Sequence, residues 1–216
     1  MGNPKNLEGM KRFGIRFEKA FGVSMPQLRK FAKQYKNQHS LSLLLWESEY
    51  HEAKIFATLI ENPKETTEPQ IDKWVDNLYS WDICDQLCSN LLEKLPFIEK
   101  KCLEYTFSDK EFVKRAGFVS MARFGISKAK LSDSFFDIFF ERIEQEATDE
   151  RVFVKKAINW ALRQIGKRNM NLREKAIFIS EKLLLQNSRS AKWIANDAIR
   201  ELKNEKIIEM IKKREK

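Results

Sequence analysis

The chain has 216 residues, enough for one substantial core or about five stacked helical pairs of roughly 40 residues, and its 7 Gly and 5 Pro are too few and too scattered for a long linker. No stretch reaches the roughly 20 uninterrupted apolar residues that cross a bilayer, the start MGNPKNLEGMKRFG lacks the apolar core of a signal peptide, and Cys84, Cys88 and Cys102 make no disulfide framework, so a cytoplasmic protein with a single domain over 1–216 is expected. The net charge of +9 is one-sided: residues 1–108 carry 15 basic and 15 acidic side chains, residues 109–216 carry 25 and 16.

Apolar residues spaced near 3.6 predict helices over 5–19, 25–37, 40–47, 50–61, 68–79, 81–94, 97–106, 109–124, 132–147, 150–167, 171–186, 189–202 and 204–214. Ser24–Gln27 and Thr67–Gln70 read as capping boxes with proline in the first turn, and Ser108–Glu111 reads as a third. No run alternates apolar and polar residues between turn signals, so the expected fold is all-α, with about 12–13 helices.

The segment Ser80-Trp-Asp-Ile-Cys-Asp85 opens a helix with Ser80 as its N-cap, and Trp81 and Asp85, one turn apart, share a face. A carboxylate there either complements the helix dipole or does chemistry. Cys84 and Cys88 also share a face, but with no further Cys or His nearby they suit a core better than a metal. His39 and His51 lack ligand spacing, and the chain has no P-loop, no glycine-rich dinucleotide fingerprint and no H-E-x-x-H, so no metal site is expected.

Phe112-Val-Lys-Arg-Ala116 recurs 41 residues later as Phe153-Val-Lys-Lys-Ala157, and each copy opens a helical stretch ending in glycine, Gly125 and Gly166. A fainter echo joins Ala161-Leu-Arg-Gln-Ile165 to Ala198-Ile-Arg-Glu-Leu202. This period belongs to paired-helix solenoids of the HEAT-like kind, in which each pair buries its apolar face against its neighbours. Residues 151–175 hold eight basic side chains and one acid, a concentration that favours a polyanion.

On the helix 150–167, Val154, Ile158, Ala161 and Ile165 form the inward face, and Lys156, Trp160, Arg163 and Lys167 run along the opposite side. A tryptophan left in water there costs on the order of 2 kcal/mol, so either a neighbouring helix or a ligand covers it. The ligand reading is a stacking surface for a sugar or base, flanked by phosphate-holding cations.

Trp81-Asp-Ile-Cys-Asp85, Phe112-Val-Lys-Arg-Ala116 and Lys156-Ala-Ile-Asn-Trp160-Ala-Leu-Arg163 resemble, in order and approximate spacing, the motifs of the HEAT-like-repeat DNA alkylation repair proteins, the family of the AlkD-type alkylpurine DNA glycosylases. The resemblance runs from about Met10 to Leu202, with Phe13 where the characterised enzymes have a tyrosine. It implies a curved array of helix pairs holding duplex DNA, and hydrolysis of the N-glycosidic bond of cationic N3- or N7-alkylated purines as a step of base excision repair. By the same resemblance Asp85 matches the family's aspartate, Trp81 and Trp160 its two tryptophans, and Arg115 a backbone-holding arginine, with no metal or organic cofactor. Lys114, Lys155, Lys156, Arg163, Lys167 and Arg168 join Arg115 as expected DNA contacts, and a monomer is expected. Two alternatives share the fold: a non-catalytic binder of distorted or branched DNA, and a scaffold for an acidic protein.

Overall fold

Thirteen α-helices and two short 3-10 turns make up the described residues 2–215 of the computed structural model, and no strand occurs among them. The helices fall into two compact units, Met1–Ile98 and Glu99–Lys216. None of them is long and apolar enough to cross a membrane.

The first unit holds α1 (Pro4–Arg12), α2 (Met25–Ala32), α3 (His39–Trp46), α4 (His51–Ile60), α5 (Glu68–Asp76) and α6 (Trp81–Asn90). Helix α1 stops at Arg12 rather than running to residue 19, because Gly14 takes φ +73°, a left-handed conformation that ends the helix and that glycine adopts without strain. The chain then runs to an isolated parallel bridge between Lys19 and Tyr50. Helix α2 is also shorter than expected, ending five residues before Asn37, itself at φ 60°.

Helices α3 and α4 form an antiparallel hairpin, tied by Ser42 Oγ donating to Ala57 O (3.1 Å) and by His39 Nδ1 against Glu61 Oε1 (2.7 Å). Trp46 of α3 stacks on Trp74 of α5 with ring centroids 4.2 Å apart and planes within 6°. Buried Glu52 is satisfied by the backbone: the N–H groups of Phe21, Gly22 and Val23 all donate to its carboxylate, the shortest at 2.6 Å.

Of the three expected capping boxes, the first forms, the second forms by half and the third does not form. Gln27 Oε1 reaches back to the Ser24 N–H (3.2 Å), and Thr67 Oγ1 accepts from the Gln70 N–H (3.4 Å), although the Gln70 amide itself turns to Glu61 Oε2 (2.8 Å). Ser108 caps nothing. Its hydroxyl accepts from the Lys110 N–H two residues on (3.1 Å), so Lys110 becomes the N-cap and the next helix begins at Glu111.

The second unit holds α7 (Ile98–Tyr105), α8 (Glu111–Ile126), α9 (Asp137–Glu146), α10 (Val152–Gly166), α11 (Met170–Leu185), α12 (Arg189–Leu202) and α13 (Glu205–Arg214). Here the sequence repeat is visible as contacts. Phe112 of α8 meets its repeat partner Phe153 of α10, ring centroids 5.7 Å apart, and Arg115 Nη1 donates to Phe153 O (2.6 Å). At the other end of the same crossing, a Cβ on Gly125 would lie 2.8 Å from the backbone carbon of Gln164. Glycine closes that repeat because α10 passes too near for any side chain. One repeat on, Asn159 of α10 donates to Ile194 O of α12 (3.2 Å). The alternate helices keep the same step, Lys175 of α11 pairing with Asp137 of α9 (2.9 Å) and Lys182 with Glu144 (3.1 Å), each 38 residues apart.

Candidate functional site

The start of α6 is held by a network that ends on a buried imidazole. Ser80, its N-cap, donates from Oγ to Asp82 Oδ1 (2.7 Å) and accepts from the Arg16 N–H (3.2 Å). Asp82 Oδ2 in turn meets His51 Nε2 (2.7 Å), whose Nδ1 faces the Tyr79 hydroxyl (3.3 Å). His51 is fully buried, and burial, with Asp82 nearby, pushes the Tyr79 hydroxyl above its ordinary value. Sequence reasoning set His51 aside because its partners stand 28 and 31 residues away, a relation that only the packing of α4 on α6 creates.

On this pinned turn Trp81 is half-buried, and its indole N–H donates to Phe13 O (3.1 Å). The Phe13 ring itself is 69 % exposed, with the Arg12 guanidinium 5.7 Å from its centroid. Asp85 follows one turn later, also half-buried, while Ile83, Cys84, Leu87 and Cys88 face the core. Trp81 and Asp85 therefore share the face of α6 that the apolar core does not take.

In the second unit the expected DNA contacts separate into groups. Lys114 is buried and pairs with Glu146 (2.7 Å) and Asp149 (3.5 Å), which corrects its assignment as a phosphate contact. Burial pushes the Asp149 carboxyl up, but Arg151 and Lys114 outweigh it and hold it below its ordinary value. Arg168 is half-buried. Its guanidinium donates to the carbonyls of Phe124, Ser127 and Ala129 and lies over Phe136, and burial lowers its pKa. It fixes the loop after α8. Arg115 is 6 % exposed and spends one donor on Phe153 O.

Helix α10 shows the expected inward face, with Val154, Ile158, Ala161 and Ile165 fully buried. Ala157, Asn159 and Leu162 are buried too, because α8, α9, α11 and α12 all pack against it. Trp160 is consequently half-covered rather than fully in solvent. With the Gln164 amide oriented to satisfy its neighbours, its oxygen accepts from Trp160 Nε1 (2.9 Å) and Lys167 Nζ (3.1 Å).

Arg163 and Lys167 both pair with Glu201 of α12, the lysine at 2.5 Å. Burial raises the Glu201 carboxyl, yet those two cations bring it below its ordinary value. Lys156 is exposed and Lys155 half-buried. Beyond the end of α10 opens a cleft of about 730 Å³ lined by Lys128, Gln164, Lys167, Arg168 and Arg214, so the Trp160–Gln164–Lys167 chain leads into a basic hollow.

The profile of a family described as DNA alkylation repair enzyme matches residues 1–202. The chain belongs to the DNA alkylation repair family. The match takes in α6, α8, α10 and α12 together. Among solved structures, one described as "a new family of proteins related to the HEAT-like repeat DNA glycosylases with affinity for branched DNA structures" superposes with a TM-score of 0.77 at 20 % identity, over 93 % of this chain and 90 % of that one. The all-α fold is thus a HEAT-like repeat. No curated protein matches the sequence.

Within this repair family fold, no three His, Cys, Asp or Glu side chains converge as a metal would require, among the described residues. The available chemistry is that of a carboxylate and tryptophan on one helix face in the first unit, and of a tryptophan and cations on another in the second.

Proposed function

We propose that the protein is a monofunctional alkylpurine DNA glycosylase, acting in the cytoplasm on N3- and N7-alkylated purines in duplex DNA. The observation that carries this reading is the Trp81–Asp85 face of α6, held by the Ser80–Asp82–His51 network and by the Phe13 carbonyl. An alkylated purine is already cationic and a good leaving group, so the protein has only to stabilise the oxocarbenium-like sugar and orient water. Asp85 does both as a fixed carboxylate. Trp81 offers an aromatic face to the cationic base and sugar, worth roughly 0.5–2 kcal/mol, and Trp160 is a separate aromatic face among the cations of the second unit. Lys155, Lys156, Arg163 and Lys167 supply the positive surface that holds the backbone, and no cofactor takes part.

Release of 7-methylguanine and 3-methyladenine from methylated duplex DNA tests this. Asp85→Asn lowers release by roughly 10²–10³-fold, the usual size of a lost charge-stabilising group, with duplex affinity unchanged. Equal release by wild type and Asp85→Asn, or no release by wild type, ends the glycosylase reading. A second reading is favoured by the structural relative described as having affinity for branched DNA: binding of branched DNA without excision. It predicts tighter, steeply salt-dependent binding to a junction than to a linear duplex, with no base released.

A further inference from the structure

Helix α12 carries an outward stripe with the spacing of the one on α10, displaced by one turn from the repeat register in which Arg200 answers Arg163. On α10 the order is Lys156, Trp160, Arg163, Lys167; on α12 it is Arg189, Trp193, Asn196, Arg200, with the same steps of four, three and four. These steps put each set along one side of its helix. The two copies differ in what the protein does with them. On α10 the tryptophan is half-covered and two cations are engaged by Glu201, whereas on α12 all four residues are exposed, with Arg200 paired to Asp197, and Lys192 beside them is exposed as well.

Trp193 is 41 % exposed, and Lys155 reaches from α10 to 5.6 Å from its ring centroid. Of the acids of α12, Glu201 lies off the stripe, while Asp197 borders it and pairs with the stripe's own Arg200. Glu201 takes Arg163 and Lys167, and Asp197 lies between Arg163 (3.5 Å) and Arg200. The inward face of α12, Ala191, Ile194, Ala195, Ala198 and Leu202, is buried, so nothing in the packing requires an indole at 193.

We propose that this stripe is a second nucleic-acid site, taking a single strand of DNA along Arg189, Trp193, Asn196 and Arg200, with an unpaired base stacked on Trp193. From Arg189 to Arg200 the helix rises about 16 Å, enough to lie along several consecutive nucleotides of an extended strand. A flat indole flanked by cations is the arrangement that binds single strands without reading sequence, because every base has a face to stack. Duplex DNA offers the cations its phosphates but keeps its bases paired and stacked, so it leaves the indole without a partner. Lys155 occupies one side of the ring and adds charge to the platform, as cations do beside stacking aromatics. The proposal rests on the DNA-binding part of the function proposed above and adds a strand preference to it.

The test is fluorescence anisotropy of the full chain with three labelled probes: a 12-nucleotide oligothymidylate, a fully paired duplex, and a fork with two single-stranded arms. Trp193→Ala weakens the oligothymidylate and the fork about tenfold, the order expected of one lost stacked base, and leaves the duplex within about twofold. Trp193→Phe, which keeps an aromatic face, retains most of the affinity. Arg189→Ser and Arg200→Ser each lower the salt slope for the oligothymidylate by about 0.7. Equal effects of Trp193→Ala on all three probes, or none on any, overturn the stripe while wild-type duplex binding and base release leave the glycosylase reading standing. Failure of wild type to bind any of the three overturns both.

Discussion

Residues 1–98 and residues 99–216 stack helices by the same rule with different material. The first unit carries 13 basic and 13 acidic side chains and is neutral, so the 27 basic and 18 acidic side chains of the second hold the whole excess of +9. Helices α2 to α6 have 8 to 10 residues, whereas α8, α10, α11 and α12 have 14 to 16. Equivalent contacts between successive pairs fall 31 residues apart at His51–Asp82 and 38 apart at Arg163–Glu201. The short repeat buries ionisable groups and satisfies them with backbone and imidazole: Glu52 with three N–H groups, Asp82 with His51. The long repeat buries cations instead, with Lys114 and Arg142 on Glu146, and pairs half-exposed charges such as Arg163 and Glu201 across helices. A short, neutral, hydrogen-bonded unit suits a fixed carboxylate, and a long cationic one suits a polyanion whose grip depends on salt.

The largest expected effects attack the two packing devices. Gly125→Val forces a side chain into a 2.8 Å gap against the Gln164 backbone, and α8 and α10 cannot close; a loss of about 3 kcal/mol or more is expected in urea unfolding. A loss under about 0.5 kcal/mol would mean that the repeat does not depend on that close crossing. His51→Leu leaves Asp82 and the Tyr79 hydroxyl without their buried partner and costs about 2–3 kcal/mol. It also loosens the turn carrying Trp81, seen as a red shift of indole emission. His51→Asn, which keeps a donor, recovers part of both.

The long unit was legible in sequence and the short one only in outline. Phe112/Phe153 and Gly125/Gly166 recur because consecutive long helices meet at equivalent points, so packing imposes similar residues 41 positions apart. In the first unit the contacts are one-off: an imidazole to a carboxylate, a loop wrapped on Glu52, a Trp46–Trp74 stack. No residue type repeats there, and helicity alone marks the elements. Helix periodicity located all thirteen helices but overran α1 and α2, since a backbone turn such as that at Gly14 outweighs side-chain pattern. The inward face of α10 followed from spacing. The pairing of Arg163 and Lys167 with Glu201, and of Lys114 with Glu146, did not, because an ion pair depends on which helix lies alongside. Trp193 was missed although the 4-3-4 spacing of α10 would have found it on α12.

A middle-sized effect probes the cationic unit's reserve. Glu201→Gln removes the shared partner of Arg163 and Lys167 and turns both cations toward solvent. Duplex affinity then rises severalfold at low salt, and the slope of log K against log salt steepens by up to about 0.9 for each phosphate newly contacted. An unchanged slope would show that these cations face away from bound DNA.

The smallest effects are those of pH. Asp149 and Glu201 are held below their ordinary values of 3.8 and 4.5, so the stability they contribute is complete above those values and is lost as pH falls through their lower folded values. Tyr79 is raised above its ordinary 10.0, so its contribution is complete below that value and lost as pH rises through its higher folded value. Asp149 and Glu201 therefore contribute to an acid limb and Tyr79 to an alkaline one. Each single group is worth about 1 kcal/mol or less, because the acid pairs remain partly in water. Urea unfolding from acid to alkaline pH separates the two: Glu201→Gln flattens the acid limb alone, and Tyr79→Phe the alkaline limb alone. If Tyr79→Phe altered the acid limb, or Glu201→Gln the alkaline one, the assignment of these groups to the two limbs would be wrong.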